Sequence, residues 1–434
     1  MRLVERAWET RASPRRSRIV ACCGDILKCR HCASEVFFTL VDLGSAPPSN
    51  AYLTRLTMRR PEKWFPLKVL VCERCWLVQA EAYSRAAELF NEEYAYFSSF
   101  SDGWLLHAET YVADMCTRFG LTSASKVVEV ASNDGYLLQY VKARGISSLG
   151  VEPTAGTAAA ARSKGIETRE EFFGVSLAKR LCAEGWHADL MTANNVLAHV
   201  PDINDFAAGF ACLLKPQGVA TFEFPHLVQM ISHREFDTIY HEHFSYLSFS
   251  TVDKIFRANG LQIFDVVELG THGGSLRVFA HRHGYGGYPI TKSVDQLLRQ
   301  ETLAGIHTRE YYGNFQMHAD LVKNQFLGFL VDAKQRGKSV VAYGAAAKGN
   351  TLMNYAGIRG DLVSYVVDRN PAKQGKFMPG SRIPIVAESF LLKTRPDYVV
   401  ILPWNLKQEV MAQLDYVGEW GCAFVTAVPL LQIQ

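Results

Sequence analysis

Apolar positions near the start of this chain fall into short β-type runs. Val36-Phe37-Phe38-Thr39-Leu40-Val41 and Phe65-Pro66-Leu67-Lys68-Val69-Leu70-Val71 each lie next to a C-x-x-C pair, as the strands of a metal-bound hairpin would. Gly44-Ser45-Ala46-Pro47-Pro48-Ser49-Asn50, between them, reads as loop by composition. Tyr94, Tyr96, Phe97 and Phe100 precede a helical pattern that begins near Asp102. From residue 126 the period alternates between strand and helix. Strands are expected at 126–130, 148–152, 190–194 and 219–224, and helices at 136–144 and 157–164. Residues 295–335 read as one long, moderately amphipathic helical link, followed by strands at 339–343, 363–368 and 397–402. This is the rhythm of doubly wound sheets. The expected fold class is α/β, with a β module over 21–80, an α/β domain over 81–290 and a second α/β domain over 291–434.

Composition narrows the function classes. The 434 residues allow two or three domains at roughly 150 residues each, and 48% hydrophobic residues give each a core. The net charge of +3, from 46 basic and 43 acidic residues, asks for neither a nucleic-acid nor a membrane partner. No apolar run reaches the roughly 18 residues of a membrane span. Cys22, Cys23, Cys116, Cys182, Cys212 and Cys422 show no framework spacing, which suits a reducing cytoplasm. Residues 1–20, with six arginines but also Glu5 and Glu9, read as a loose leader rather than a targeting signal.

The remaining four cysteines carry the clearest chemistry. Cys29-Arg30-His31-Cys32 and Cys72-Glu73-Arg74-Cys75 have the spacing that wraps paired thiolates around one tetrahedral Zn²⁺. The gap between the pairs is long for a zinc finger, so they are read as a structural clamp. His31 lies inside the first pair and is read as solvent-facing.

Four further segments suggest a site. Glu129-Val130-Ala131-Ser132-Asn133-Asp134-Gly135 joins an acidic strand end to a small-residue turn, and the next strand ends in Glu152. That is the cofactor plan of a class I S-adenosylmethionine (SAM) methyltransferase. The turn admits the methionine portion, and the carboxylate accepts the ribose hydroxyls at the carboxyl ends of the strands. A dinucleotide site would need G-x-G-x-x-G, which is absent. Asn194-Asn195-Val196-Leu197-Ala198-His199 begins where a strand ends, so substrate would sit there. Tyr240-His241-Glu242-His243 is too dense in titratable groups for a core and suits general acid–base work. A metal reading of that segment would need His241 and His243 to share a strand face. Finally, Gly344-Ala345-Ala346-Ala347-Lys348-Gly349-Asn350 is a strand-to-helix turn able to cradle phosphate, or simply to pack closely.

Together these segments, with Glu93-Tyr94-Ala95-Tyr96-Phe97-Ser98, resemble the sugar C-3-methyltransferases of deoxysugar pathways over residues 25–434. Ala131 stands where that family often has Gly. The resemblance implies a class I methyltransferase Rossmann-like core between a zinc module and a Rossmann-like C-terminal domain. It implies SAM as cofactor, with Tyr94, Ser98, Glu129, Ser132, Asn133, Asp134, Gly135, Glu152, Asn194 and Asn195 around it. The substrate implied is a nucleoside-diphosphate 4-keto-6-deoxysugar, bound by a monomer. His243 would be the base, and Tyr240 and His199 would donate to or orient the enolate. Glu242 and His241 would support them, with Lys348 near the diphosphate and Asn350 beside it. The alternatives are a sugar O-methyltransferase and a zinc-ribbon nucleic-acid methyltransferase.

Overall fold

The computed structural model describes residues 27–83, 89 and 97–434. The Arg-rich leader, Cys22, Cys23 and the 93–96 part of the aromatic motif, Tyr94 included, lie outside the described residues. Among the described residues no helix is long and apolar enough to cross a membrane.

Among the described residues the strands form three sheets. The first is antiparallel, in the order Phe38–Ala46, Phe65–Val71, Val78–Ala80, Ser245–Tyr246. Its first strand runs through Gly44-Ser45-Ala46, which the composition marks as loop. Register shifts after Thr39 and Asp42, and a left-handed Gly44 (φ 72°), let the strand continue past its irregularities. Its fourth strand arrives from far along the chain, with Val78 opposite Tyr246 and Gln79 opposite Ser245.

The central sheet has seven strands, ordered Thr168–Arg169, Ser147–Val151, Lys126–Val130, Ala188–Asn194, Leu214–Pro225, Ser275–Arg282, Leu261–Leu269. The first five are parallel; the last two form an antiparallel hairpin added to the edge. Within Lys126–Val130, Val128 and Val130 face one apolar cluster and Val127 faces another. Burial on both faces explains why the strand reads as a continuous apolar run. Strand order reverses at Lys126–Val130, which makes its carboxyl end the switch-point crevice where ligands bind.

The C-terminal sheet runs Ile385–Val386, Val366–Val367, Val340–Tyr343, Tyr398–Ile401, Ala423–Thr426, Gln432–Ile433, parallel except for the last strand. The stretch before it is three helices, Lys292–Ala304, Arg309–Tyr312 and Phe315–Gln335, rather than one. Gly305 (φ 85°) caps the first in the left-handed conformation that only glycine adopts cheaply. Phe315, Ala319, Val322, Phe326, Leu330 and Ala333 recur every three or four residues along the last helix and are buried. They join a core that also holds Val41 and Val69 of the first sheet, Phe236 and Ile239 of the central domain, and Leu352 and Met353 of the C-terminal one. Each buried Phe there contributes about 1.5–3 kcal/mol. Residues 227–246 therefore lie where the three parts meet.

Candidate active site and zinc cluster

The four paired cysteines converge. Sγ of Cys29 lies 3.5 Å from that of Cys75, and Cys32 lies 3.5 Å from Cys72. All four sulfurs fall within 4.8 Å of one another, the only such group of potential ligands among the described residues. A tetrahedron with Zn–S of about 2.3 Å needs sulfurs roughly 3.8 Å apart, so the cage fits zinc. The two pairs have the same local fold. Each is followed by a left-handed residue, Ala33 (φ 56°) or Trp76 (φ 67°), whose N–H donates to the carbonyl of the first cysteine at 3.0 and 2.7 Å. The cluster is a structural zinc site. His31 is half-buried rather than solvent-facing, with Nδ1 2.8 Å from Oδ1 of Asn204.

The zinc module is also tied to the 240–246 segment. The guanidinium of Arg30 donates to the Ala80 carbonyl at 2.8 Å and lies 5.1 Å from the Phe244 ring centre. Buried Gln79 accepts from the Arg30 N–H at 3.0 Å and donates to the Lys28 carbonyl at 3.3 Å. Asn50 donates twice to Oε1 of Glu242, at 3.2 and 3.3 Å.

At the switch point, the turn after Lys126–Val130 is left-handed at Ala131 (φ 55°), Asn133 (φ 50°) and Gly135 (φ 77°). The chain thus holds at Ala131 a conformation that glycine adopts more cheaply, and such strain gathers where a ligand requires the shape. Glu152, 4% exposed, accepts from the N–H of Asn133 and that of Thr154, both at 2.9 Å. The Ser98 N–H donates to Oδ1 of Asn133 at 2.9 Å, and the Ser99 hydroxyl bonds Asp134. Burial pushes the Glu129 carboxyl well above the usual range. Buried Ser132 Oγ, Asp134 Oδ1, Asn194 Nδ2 and Asn195 Oδ1 have no hydrogen-bond partner among the described residues. Orphaned polar atoms are costly inside a protein. A polar ligand such as SAM accounts for this many around one turn, so the residues fit that cofactor.

Beside them the side chains of His199, Tyr240 and His243 assemble. His199 ends a short helical turn, Leu197–His199, that follows Asn194 and Asn195, and its ring meets that of His243 at 4.6 Å. Its Nδ1 donates to the Glu242 carbonyl at 2.7 Å, and burial lowers its pKa to about 4. Nδ1 of His243 donates to the Thr238 carbonyl at 2.9 Å, which fixes the tautomer. Nε2 then carries the lone pair and accepts from the Tyr240 hydroxyl at 2.7 Å. Burial, and then neighbouring positive charge, hold His243 well below the usual imidazole range, so it is neutral. His241 goes elsewhere: its Nε2 donates to the Phe65 and Pro66 carbonyls at 3.3 and 3.2 Å. The two histidines do not share a strand face, because the strand begins only at Ser245, and the metal reading of this segment is withdrawn.

Several neighbours lacked any sequence motif. His272, with a left-handed backbone (φ 56°), has Nε2 3.2 Å from Nδ2 of Asn195. Buried Asp237 accepts from Nε1 of Trp404 at 2.8 Å. Burial raises Asp237 to about 6 and nearby Glu235 to about 8. A side chain on Gly273 would collide with Glu235 and Trp404, so the Gly273-Gly274 pair marks a close approach. In the C-terminal domain, Lys348 reaches Oδ1 of Asn405 at 3.2 Å and lies 4.4 Å from the Trp404 ring centre. Asn350 is 1% exposed, with Nδ2 unpartnered among the described residues.

The seven-stranded sheet with its reversed edge hairpin, together with a left-handed first turn facing Glu152, defines a class I SAM-dependent methyltransferase. Family models agree in three successive stretches: a zinc binding domain over 29–90, a methyltransferase domain over 104–266 and a C-methyltransferase C-terminal domain over 270–429. The chain is 32% identical to the C-methyltransferase NovU of Streptomyces niveus, covering 93% of this chain and 95% of that protein. It therefore belongs to the C-methyltransferase family. Its solved structural neighbours include a SAM-dependent methyltransferase from Clostridium acetobutylicum (14% identity, 42% of this chain and 92% of that one, TM-score 0.34). Another is magnesium protoporphyrin IX methyltransferase from Synechocystis with bound SAM (16%, 42% and 80%, TM-score 0.32).

Proposed function

We propose that the chain methylates C3 of a nucleoside-diphosphate 4-keto-6-deoxysugar, with His243 as base. The observation that carries this reading is the neutral His243, its tautomer set by the Thr238 carbonyl and its basic Nε2 facing Tyr240. A carbon acid needs such a base, because a proton α to a ketone leaves only to a group that is unprotonated near neutral pH. Tyr240 occupies Nε2 until substrate arrives, then turns its O–H to the sugar. Nε2 takes the C3 proton, and the electron pair moves to the C4 oxygen. His199 fixes one side of the base and Glu242 the other, while His241 holds the segment to the first sheet. Bound at Ser98, Glu129, Ser132–Gly135, Glu152, Asn194 and Asn195, SAM supplies the methyl group that C3 attacks; Tyr94 would complete that set. Lys348 and Asn350 bind the nucleotide sugar from a C-terminal domain over 291–434, beside a methyltransferase domain over 81–290 and a zinc module over 21–80.

The test is a panel of TDP- and GDP-linked 4-keto-6-deoxysugars with SAM. Product NMR should place the methyl on C3; a methyl on oxygen, or no product from any member, overturns the reading. His243→Asn should lower kcat by about 10²–10⁴ with little change in SAM affinity. A variant retaining full kcat would remove His243 from the role.

A further inference from the structure

The Gly/Ala-rich turn of the C-terminal domain is arranged differently from a phosphate cradle. Its backbone donors are already taken: the Gly344 N–H donates to the Val367 carbonyl at 2.7 Å and the Ala345 N–H to Oδ2 of Asp368 at 2.8 Å. Asp368 directly follows the neighbouring strand, Val366–Val367, and would repel a diphosphate at that point. Lys373, 3.6 Å away, already serves as its cation. Lys348 points away from that turn. Its ammonium lies against the Trp404 ring and Asn405, and Trp404 in turn donates to Asp237. Asp237 immediately precedes Thr238, whose carbonyl sets the tautomer of His243. One turn along the same helix, Thr351 donates to the Ile239 carbonyl at 2.8 Å, seating the helix on the 236–239 turn. Lys348 is close enough to the base for its charge to act on both His243 and His272.

Among the described residues the Lys348 ammonium makes one hydrogen bond, to a neutral amide oxygen. Two of its three N–H donors therefore have no hydrogen-bond acceptor, although the buried carboxyls of Asp237 and Glu235 lie near enough for their charge to act on it, and an unmet donor is costly where water is largely excluded. The reaction of the preceding section, on which this inference rests, creates a matching partner. When the C3–H bond breaks and its proton goes to His243, the electron pair leaves a full negative charge on the C4 oxygen. When C3 bonds to the methyl carbon, the pair of the broken S–C bond stays on sulfur and the C4 ketone is restored. The charge on C4 is transient and must be met by groups already in place.

We propose that Lys348 is a further catalytic residue, whose ammonium bonds the C4 oxygen of the ketosugar and stabilises the enolate. Trp404 and Asn405 are positioning residues that hold it there. This assigns Lys348 to the reacting end of the substrate, not to the diphosphate that the turn alone suggests. The two assignments differ in kinetics: a group that meets charge only in the transition state lowers kcat when removed, whereas a diphosphate contact raises KM.

The experiment compares wild type, Lys348→Met and Lys348→Arg, each with zinc bound, using SAM and whichever TDP-linked 4-keto-6-deoxyhexose wild type methylates. Losing one oxyanion donor typically lowers kcat by about 10²–10³. Lys348→Met should show that loss with KM within about threefold of wild type. Lys348→Arg should recover part of kcat, because it restores the charge. Deuterium washing into C3 in the presence of S-adenosylhomocysteine should slow in step with kcat. A rise in KM with kcat retained overturns the inference in favour of a diphosphate contact. Equal loss of SAM affinity and thermal stability in both variants overturns it in favour of a structural lysine. If wild type methylates none of the panel, the substrate reading itself falls, and the inference with it.

Discussion

Replacing Glu152 by Gln tests the cofactor site with the least disturbance. The carboxylate is 4% exposed and already accepts two backbone N–H groups, from Asn133 and Thr154, at 2.9 Å each. Alanine would orphan both donors and confuse ligand loss with misfolding. Glutamine keeps the shape, removes the charge and leaves one acceptor oxygen. Hydrogen bonds to a charged group contribute about 1.5–3 kcal/mol and neutral ones about 0.5–1.5, so each bond weakens by about 1–1.5 kcal/mol. Two ribose hydroxyls then lose about 2–3 kcal/mol, and with tenfold per 1.4 kcal/mol the Kd for SAM should rise about 30–150-fold. The two backbone N–H groups bond different oxygens, so glutamine weakens one bond by about 1–1.5 kcal/mol and leaves the other donor without an acceptor at about 1–3 kcal/mol. The combined loss of about 2–4.5 kcal/mol lowers Tm by roughly 4–18 °C in a domain of this size. Calorimetric titration with SAM well below that Tm measures the first effect, and a ligand-free thermal scan the second. A Glu152→Gln protein with the expected drop in Tm but a Kd within threefold of wild type would refute the ribose contact.

Two further outcomes follow from the site. His243 is held below its ordinary pKa of 6.5, and a base works only when unprotonated. Lowering its pKa widens the active range toward acid, so kcat/KM should be level from pH 6.5 to 8 and fall only below pH 6.5; an acid limb with an inflection at 7 or above would contradict this. Metal analysis should find one zinc per chain, and because the first sheet pairs with Ser245–Tyr246, next to the proposed base, Cys75→Ser should lower both Tm and kcat while SAM affinity changes little. A zinc-free protein with wild-type kcat would sink the coupling.

What the sequence made readable was local. The cysteine pairs, the turn ahead of Glu152 and the Tyr-His-Glu-His segment each stand out within a few residues, and the structure brings each set together locally. The edge hairpin was not readable. Leu261–Leu269 mixes buried and exposed positions without clean alternation, since one end packs on the sheet while Val267 is exposed. The helical link misled because its apolar spacing continues across Gly305, where the backbone turns left-handed. Asp237, His272, Trp404 and Asn50 carry no motif because they act only in company. Each comes from a different part of the chain, and their proximity is a product of packing between domains, which no local period encodes. Ala131 is the opposite case: the turn was placed correctly, although alanine gives no hint of a positive φ.

The four-stranded sheet has a temporal consequence. Val78–Ala80 leaves the ribosome early, but the partner that completes its outer edge, Ser245–Tyr246, is made about 165 residues later. At roughly 5–20 residues per second the nascent chain carries that open edge for about 10–30 s. Bare strand edges recruit other chains. The interval is thus a window in which crowding of polysomes, heat or a slowed codon tract favours aggregation, before Ser245–Tyr246 has been synthesised. The finished protein closes this edge with the stretch of polypeptide that directly follows the Tyr-His-Glu-His segment.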